Sequence, residues 1–213
     1  MAQLTGAPLL VVMLLYGAGL RLNESLSLRV KDIDLERRTL MVRSGKGNKD
    51  RRSVLPDRLT PLMTDQVAKI RSWHAKELLR GRGYLALPDA LGHKFPNAVR
   101  DWRWAWLFPS ARDVYDRRAK RAVRFPVHQS TIQRAIARAA VKAGLNKRVT
   151  AHTFRHSFAT QLLRSGYNIR TVQELLGHAN VSTTMVYLHV LDQGMGVRSP
   201  LDRLAPASPP PLK

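Results

Sequence analysis

Residues 151–189 read AHTFRHSFATQLLRSGYNIRTVQELLGHANVSTTMVYLH, and the punctuation of this stretch sets the architecture. A helical pattern over 152–165 is stopped by Gly166, because glycine enters the left-handed turn that closes a helix without steric cost. A second helix is expected over 168–176, with Asn168 as N-cap and Gly177 as stop. A last helix should begin near Ser182 and carry Tyr187.

Upstream, Ile132, Ala135, Ile136, Ala139 and Ala140 mark an amphipathic helix over 129–143, closed by Gly144. Residues 7–30 carry helical apolar spacing in two parts, Leu9 to Leu14 and Leu22 to Val30, broken around Gly17 and Gly19 with Arg21 near the junction. Asp32–Leu35 and Thr39–Arg43 flank a polar turn, and Arg51–Leu55 follows the loop Ser44–Asp50, which reads as a three-stranded antiparallel meander. Residues 60–80 return to a helical pattern. From 81 to 127 the chain is rich in Gly and Pro and holds all but one of its tryptophans, an irregular insertion with a short helix expected from about Pro96 to Trp106. The proline-rich tail is expected to be disordered from about residue 205. The fold class is a mainly helical α+β domain over 1–213 with a small three-stranded antiparallel sheet.

Charge narrows the partner. Among 213 residues, 36 Lys and Arg face 15 Asp and Glu, a net charge of +21. Such an excess repels itself in the folded state and calls for a polyanion, nucleic acid before an anionic membrane, with a solvated basic surface as the bland alternative. With no cysteine, disulfides, thiolate-bound zinc and thiol nucleophiles are excluded, which fits a reducing cytosol. The apolar run Pro8 to Leu15 lacks a basic leader and is too short to span a bilayer, so it reads as a core helix and no membrane role is expected.

His152 and Arg155, three apart on one helix, share a face. A group that moves a proton beside one that forks onto two phosphate oxygens suits phosphoryl transfer, although a surface His–Arg pair reads the same way in isolation. His152 and His156 have zinc-helix spacing, but no Glu stands between them and Arg155 does, so no metal is expected. Tyr187 alone reads as core; it becomes a nucleophile only where cations or a base stabilise phenolate, and His152, Arg155 and His178 are near in sequence. The loop Gly45-Lys46-Gly47-Asn48-Lys49-Asp50-Arg51 fails the phosphate-loop spacing, and a mobile lysine and an ordinary charged turn fit it equally.

Together these segments resemble the tyrosine recombinase (lambda-integrase) family, whose dispersed signature is Arg, Lys, His-x-x-Arg, His or Trp, and Tyr. The matching segments are Gly19-Leu20-Arg21-Leu22-Asn23-Glu24, Gly45-Lys46-Gly47, His152-Thr153-Phe154-Arg155-His156, and Leu175-Leu176-Gly177-His178 with Ser182-Thr183-Thr184 through Tyr187-Leu188-His189. The resemblance implies a catalytic domain in which Arg21 and Arg155 clamp the scissile phosphate and His178 hydrogen-bonds it. Lys46 would protonate the departing 5′ oxygen, His152 would assist proton transfer and Tyr187 would attack. Fixed cations replace metal ions, so no cofactor is implied.

The insertion, with Trp102-Arg103-Trp104-Ala105-Trp106 and Phe108-Pro109-Ser110, resembles that of integron integrases, which recombine gene cassettes between a double-stranded site and a folded single-stranded one. DNA contacts are expected at Lys49 and Arg51, at Trp102, Trp104 and Trp106, and at Arg124 and His128. The tryptophans also read as a local mini-core. At the insertion's edge the sequence Arg124-Phe125-Pro126-Val127-His128 departs from the basic, His-rich run of those enzymes. The resemblance further implies a bacterial, cytoplasmic, DNA-associated protein working as a tetrameric synapse. The family's amino-terminal clamp domain is expected to be absent from the chain, which starts where the catalytic domain should. Rival readings are DNA relaxation of the type IB topoisomerase kind and a non-catalytic DNA-binding module.

Overall fold

The structure, a computed structural model, describes residues 1–43, 50–85, 87, 96–117, 120–178 and 180–187. The expected Lys46 and Lys49 loop, part of the insertion and the tail lie outside these residues.

Helix α1 (Gly6–Gly17) is apolar on nearly every side, and Leu10, Val11, Val12, Leu14 and Leu15 are buried, as suits a central helix. It ends in a turn where Gly19 takes φ 65°, and α2 (Leu22–Leu26) starts directly after Arg21. Strands β1 (Ile33–Asp34), β2 (Thr39–Val42) and β3 (Arg51–Val54) form the expected antiparallel sheet in sequential order, with Ile33 opposite Leu40 and Leu40 opposite Ser53. In β2, Leu40 and Val42 point into the core while Thr39 and Met41 lie half-exposed, the period of two that a one-sided sheet requires.

The long helix α3 (Thr60–Leu79) buries Met63, Ile70, His74 and Glu77, all on one stripe. The insertion packs onto this stripe and departs from expectation in two ways. The single short helix is instead two 3-10 turns, Pro96–Arg100 and Trp102–Trp104. Asp101 divides them, because its side chain accepts the Arg103 N–H at 3.0 Å and starts a new turn. The stretch read as irregular also contains a hairpin, β4 (Val114–Asp116) paired antiparallel with β5 (Arg121–Val123).

Three helices complete the domain. Helix α4 (Gln129–Lys142) presents Ile132 and Ile136 to the core. Helix α5 (Ala151–Arg164) packs against α1, and Thr150 and Thr153 cap its start reciprocally. Helix α6 (Ile169–Leu176) starts at Asn168, whose side chain accepts the Arg170 N–H, and stops at Gly177 with φ 63°, as the sequence predicts. The short helix α7 (Ser182–Met185) begins where expected but does not carry Tyr187, which follows in a turn with its N–H bonded to Thr184 O at 3.1 Å. Tyr187 packs with Phe158, Leu163, Val172 and Leu176 in a small core between α5 and α6.

Candidate active site

The site is built around one carboxylate. Glu24, in the first turn of α2, accepts the Arg21 backbone N–H and the Arg21 guanidinium, both at 2.7 Å. From β3, Arg51 grips the same carboxylate with two bonds of 2.9 and 2.7 Å, and an Arg155 Nη1 lies 3.6 Å from Oε2. Burial works to raise the Glu24 carboxyl, but hydrogen bonds and charge from Arg51 and Arg21 prevail and hold it at about 2. The carboxylate therefore stays ionised and keeps three guanidiniums in one place.

Arg155 is 4% exposed. Its guanidinium donates to the carbonyls of Gly19 and Leu176, the latter at 2.6 Å, and an Nη2 lies 3.2 Å from His178 Nε2. Burial, with the charges of Arg21 and Arg51 adding to it against Glu24, lowers the guanidinium to about 10, so it remains charged at neutral pH. The two glycines are structural requirements here. A Cβ on Gly19 would collide with the Phe158 ring, and one on Gly177 would stand 2.8 Å from Arg51 Cδ.

Around the nucleophile candidate, the His178 ring lies parallel to Tyr187 with centroids 6.3 Å apart, and the His156 ring meets it edge-on at 4.6 Å. The structure thus brings Arg21, Arg155, His178 and Tyr187 into one neighbourhood. His152 is exposed on α5 and lines a cavity of about 620 Å³ with Arg21, Gln129, Gln133 and Arg148, one turn from Arg155. Lys46 and Lys49 lie outside the described residues.

The residues expected to touch DNA fall into different settings. His128 is exposed and caps α4, its Nδ1 accepting the Ser130 N–H. Arg51 and Arg124 instead turn inward, each with a side chain 11% exposed. Arg51 serves Glu24 and Leu175 O, while Arg124 pairs with Asp113, bonds Ser110 O and covers the Trp73 ring at 4.6 Å. The tryptophans are half-buried beside cations: Arg29 lies 3.7 Å from the Trp106 ring centre, Lys31 2.9 Å from that of Trp104 and Arg71 5.3 Å from that of Trp102. His156 and Thr184 lie within the matched motif segments, which assign them no role; in the structure the His156 ring meets Tyr187 edge-on and Thr184 Oγ1 lies 2.9 Å from His178 Nδ1. Among the described residues no group of three His, Cys, Asp or Glu side chains could hold a metal ion, and no helix is long and apolar enough to cross a membrane.

A buried carboxylate thus holds arginines from three elements beside a histidine and a tyrosine, on the tyrosine recombinase catalytic fold. Residues 6–194 match the Phage integrase family, and the chain belongs to that family. It is 51% identical over 204 residues to an integrase/recombinase of Escherichia coli, covering 95% of this chain and 60% of that one. It is 38% identical over 181 residues to tyrosine recombinase XerA of Pyrococcus furiosus, covering 85% and 49%. A crystal structure of XerA recombinase superposes with a TM-score of 0.60 at 30% identity, over 86% of this chain and 53% of that one. The XerH site-specific recombinase bound to palindromic difH substrate, a post-cleavage complex, gives 0.57 at 25% identity, over 89% and 45%. The chain thus spans 60% of the E. coli relative and about half of the others.

Proposed function

We propose that this chain is the catalytic domain of a site-specific DNA recombinase that cuts and rejoins DNA through a 3′-phosphotyrosyl bond to Tyr187. The observation that carries the reading is the placement of Arg155, bonded to two carbonyls and 3.2 Å from His178, with the Tyr187 ring beside those of His178 and His156. In this reading Arg21 and Arg155 neutralise the phosphate, and His178 donates a hydrogen bond to it. The phenolate oxygen of Tyr187 bonds to phosphorus as the 5′ oxygen leaves; Lys46 protonates that oxygen and His152 assists proton transfer. Positioned cations stabilise the charge that builds up, which is most of what phosphoryl transfer asks of a protein.

The finer reading is integration and excision of gene cassettes, supported by the tryptophan-bearing insertion seated on α3. Its partners are duplex DNA, folded single-stranded sites and further protomers in a tetrameric synapse. Plasmids carrying pairs of cassette attachment sites should yield excision products that depend on Tyr187, while a site-free supercoiled plasmid stays supercoiled. Relaxation without excision would favour the topoisomerase-like reading, and neither activity the non-catalytic one.

A further inference from the structure

The His178 ring has a partner at each nitrogen. Nε2 lies 3.2 Å from an Arg155 Nη2, and Nδ1 lies 2.9 Å from Oγ1 of Thr184, a fully buried residue. A guanidinium can only donate, so Nε2 accepts and carries no proton. In the neutral ring the proton is then on Nδ1, which donates to the threonine hydroxyl. This is the opposite of what phosphate requires. An unprotonated phosphate oxygen, as on a phosphodiester, only accepts, so a His178 that grips one through Nε2 must carry its proton on Nε2, and Nδ1 must become an acceptor.

Thr184 suits both states. Its hydroxyl accepts from Nδ1–H in one rotamer of its hydrogen and donates to bare Nδ1 in the other, whereas a carbonyl or carboxylate in its place could only accept. We infer that Thr184 is a positioning residue that lets His178 exchange tautomers, Nδ1–H while Arg155 occupies Nε2 and Nε2–H once phosphate draws Arg155 onto itself. This rests on the phosphate-clamp role proposed above for Arg155 and His178. One proton leaves Nδ1 for solvent and one reaches Nε2 from solvent, so the ring stays neutral and Thr184 keeps its hydrogen.

The test is nitrogen NMR of the chain labelled with ¹⁵N at histidine and arginine, titrated with inorganic phosphate, because the shifts of the two ring nitrogens distinguish both neutral tautomers and the imidazolium. The expected result is His178 as Nδ1–H alone and Nε2–H with phosphate. Thr184→Val, which keeps the volume and removes the hydroxyl, should abolish the exchange and weaken phosphate binding about fivefold, the effect of one lost neutral hydrogen bond. Thr184→Ser should restore both. An Nε2–H ring in the phosphate-free protein, an imidazolium on phosphate binding, or a Thr184→Val protein that exchanges like the wild type would overturn the inference. Arg155 responding while His178 does not would overturn it and leave the clamp intact, whereas no response of either residue would overturn the clamp as well. The wild-type spectra alone decide the tautomers if Thr184→Val does not fold.

Discussion

Glu24 holds Arg51 through both carboxylate oxygens, at 2.9 and 2.7 Å, and so ties the start of α2 to the strand that follows the hairpin loop. The same carboxylate carries Arg21 and lies within 3.6 Å of Arg155, so one buried anion organises cations supplied by three separate segments.

Removing that anion should destabilise the whole assembly. Glu24 sits at about 2 in the fold against an ordinary value of 4.5, so its stabilising contribution is complete above the ordinary value and is lost as pH falls through the folded one. At about 1.4 kcal/mol per unit the contribution is on the order of 3 kcal/mol at neutral pH, draining away between about pH 4.5 and 2. Denaturant melts of Glu24→Gln should show a loss of about that size at neutral pH and a flatter acid limb than the wild type. A variant as stable as the wild type at neutral pH would show that the arginines do not depend on this carboxylate.

Gly19→Ala should be costly out of proportion to one methyl group. The residue takes φ 65°, and the new Cβ would meet the Phe158 ring on α5. The expected loss is about 2–4 kcal/mol, from left-handed strain plus overpacking. Because the Gly19 carbonyl receives Arg155, adduct formation should fall further than stability does. Thermal melts and single-turnover cleavage at a temperature where the variant is folded would check both.

Local signals were legible because their causes are local. Asn168, Gly166 and Gly177 mark helix ends by their own backbone and capping chemistry, and the structure places those ends within a residue of expectation. The hairpin β4–β5 was not legible: its strands are three residues long, and Val114 and Tyr115 are both exposed, so no alternation of apolar and polar residues announces it. Pairing was the other blind spot. The sequence gives the sign of Arg51 and Arg124 but not their partners, Glu24 being 27 positions away and Asp113 eleven. Arg21, Arg155, His178 and Tyr187 were legible as candidates because together they match a dispersed signature, while the contact of Thr184 with His178 has no counterpart in spacing.

The tryptophans allow two outcomes that one experiment separates. Trp104 and Trp106 cover Lys31 and Arg29, and Arg29 is 7% exposed. Trp106→Ala and Trp104→Ala should each lower stability by about 2–4 kcal/mol through lost packing and cation–π contact. If the insertion also holds extruded bases, at least one of Trp102→Ala, Trp104→Ala and Trp106→Ala should weaken binding to a bulged hairpin. Stacking worth roughly 1–3 kcal/mol corresponds to about fivefold to a hundredfold, with little change on perfect duplex. Equal loss on both DNAs, or none, would leave the tryptophans with packing alone.

The proposed role of Tyr187 as covalent carrier of the DNA strand is tested by mass spectrometric mapping of the protein–DNA adduct trapped on a nicked duplex, from which the short 5′-hydroxyl fragment diffuses away before religation. The expected result is an adduct through a 3′ phosphate on the peptide containing Tyr187, resistant to excess chelator, and none from Tyr187→Phe although that variant binds the same duplex. An adduct that persists in Tyr187→Phe, or that maps to another residue, would contradict it.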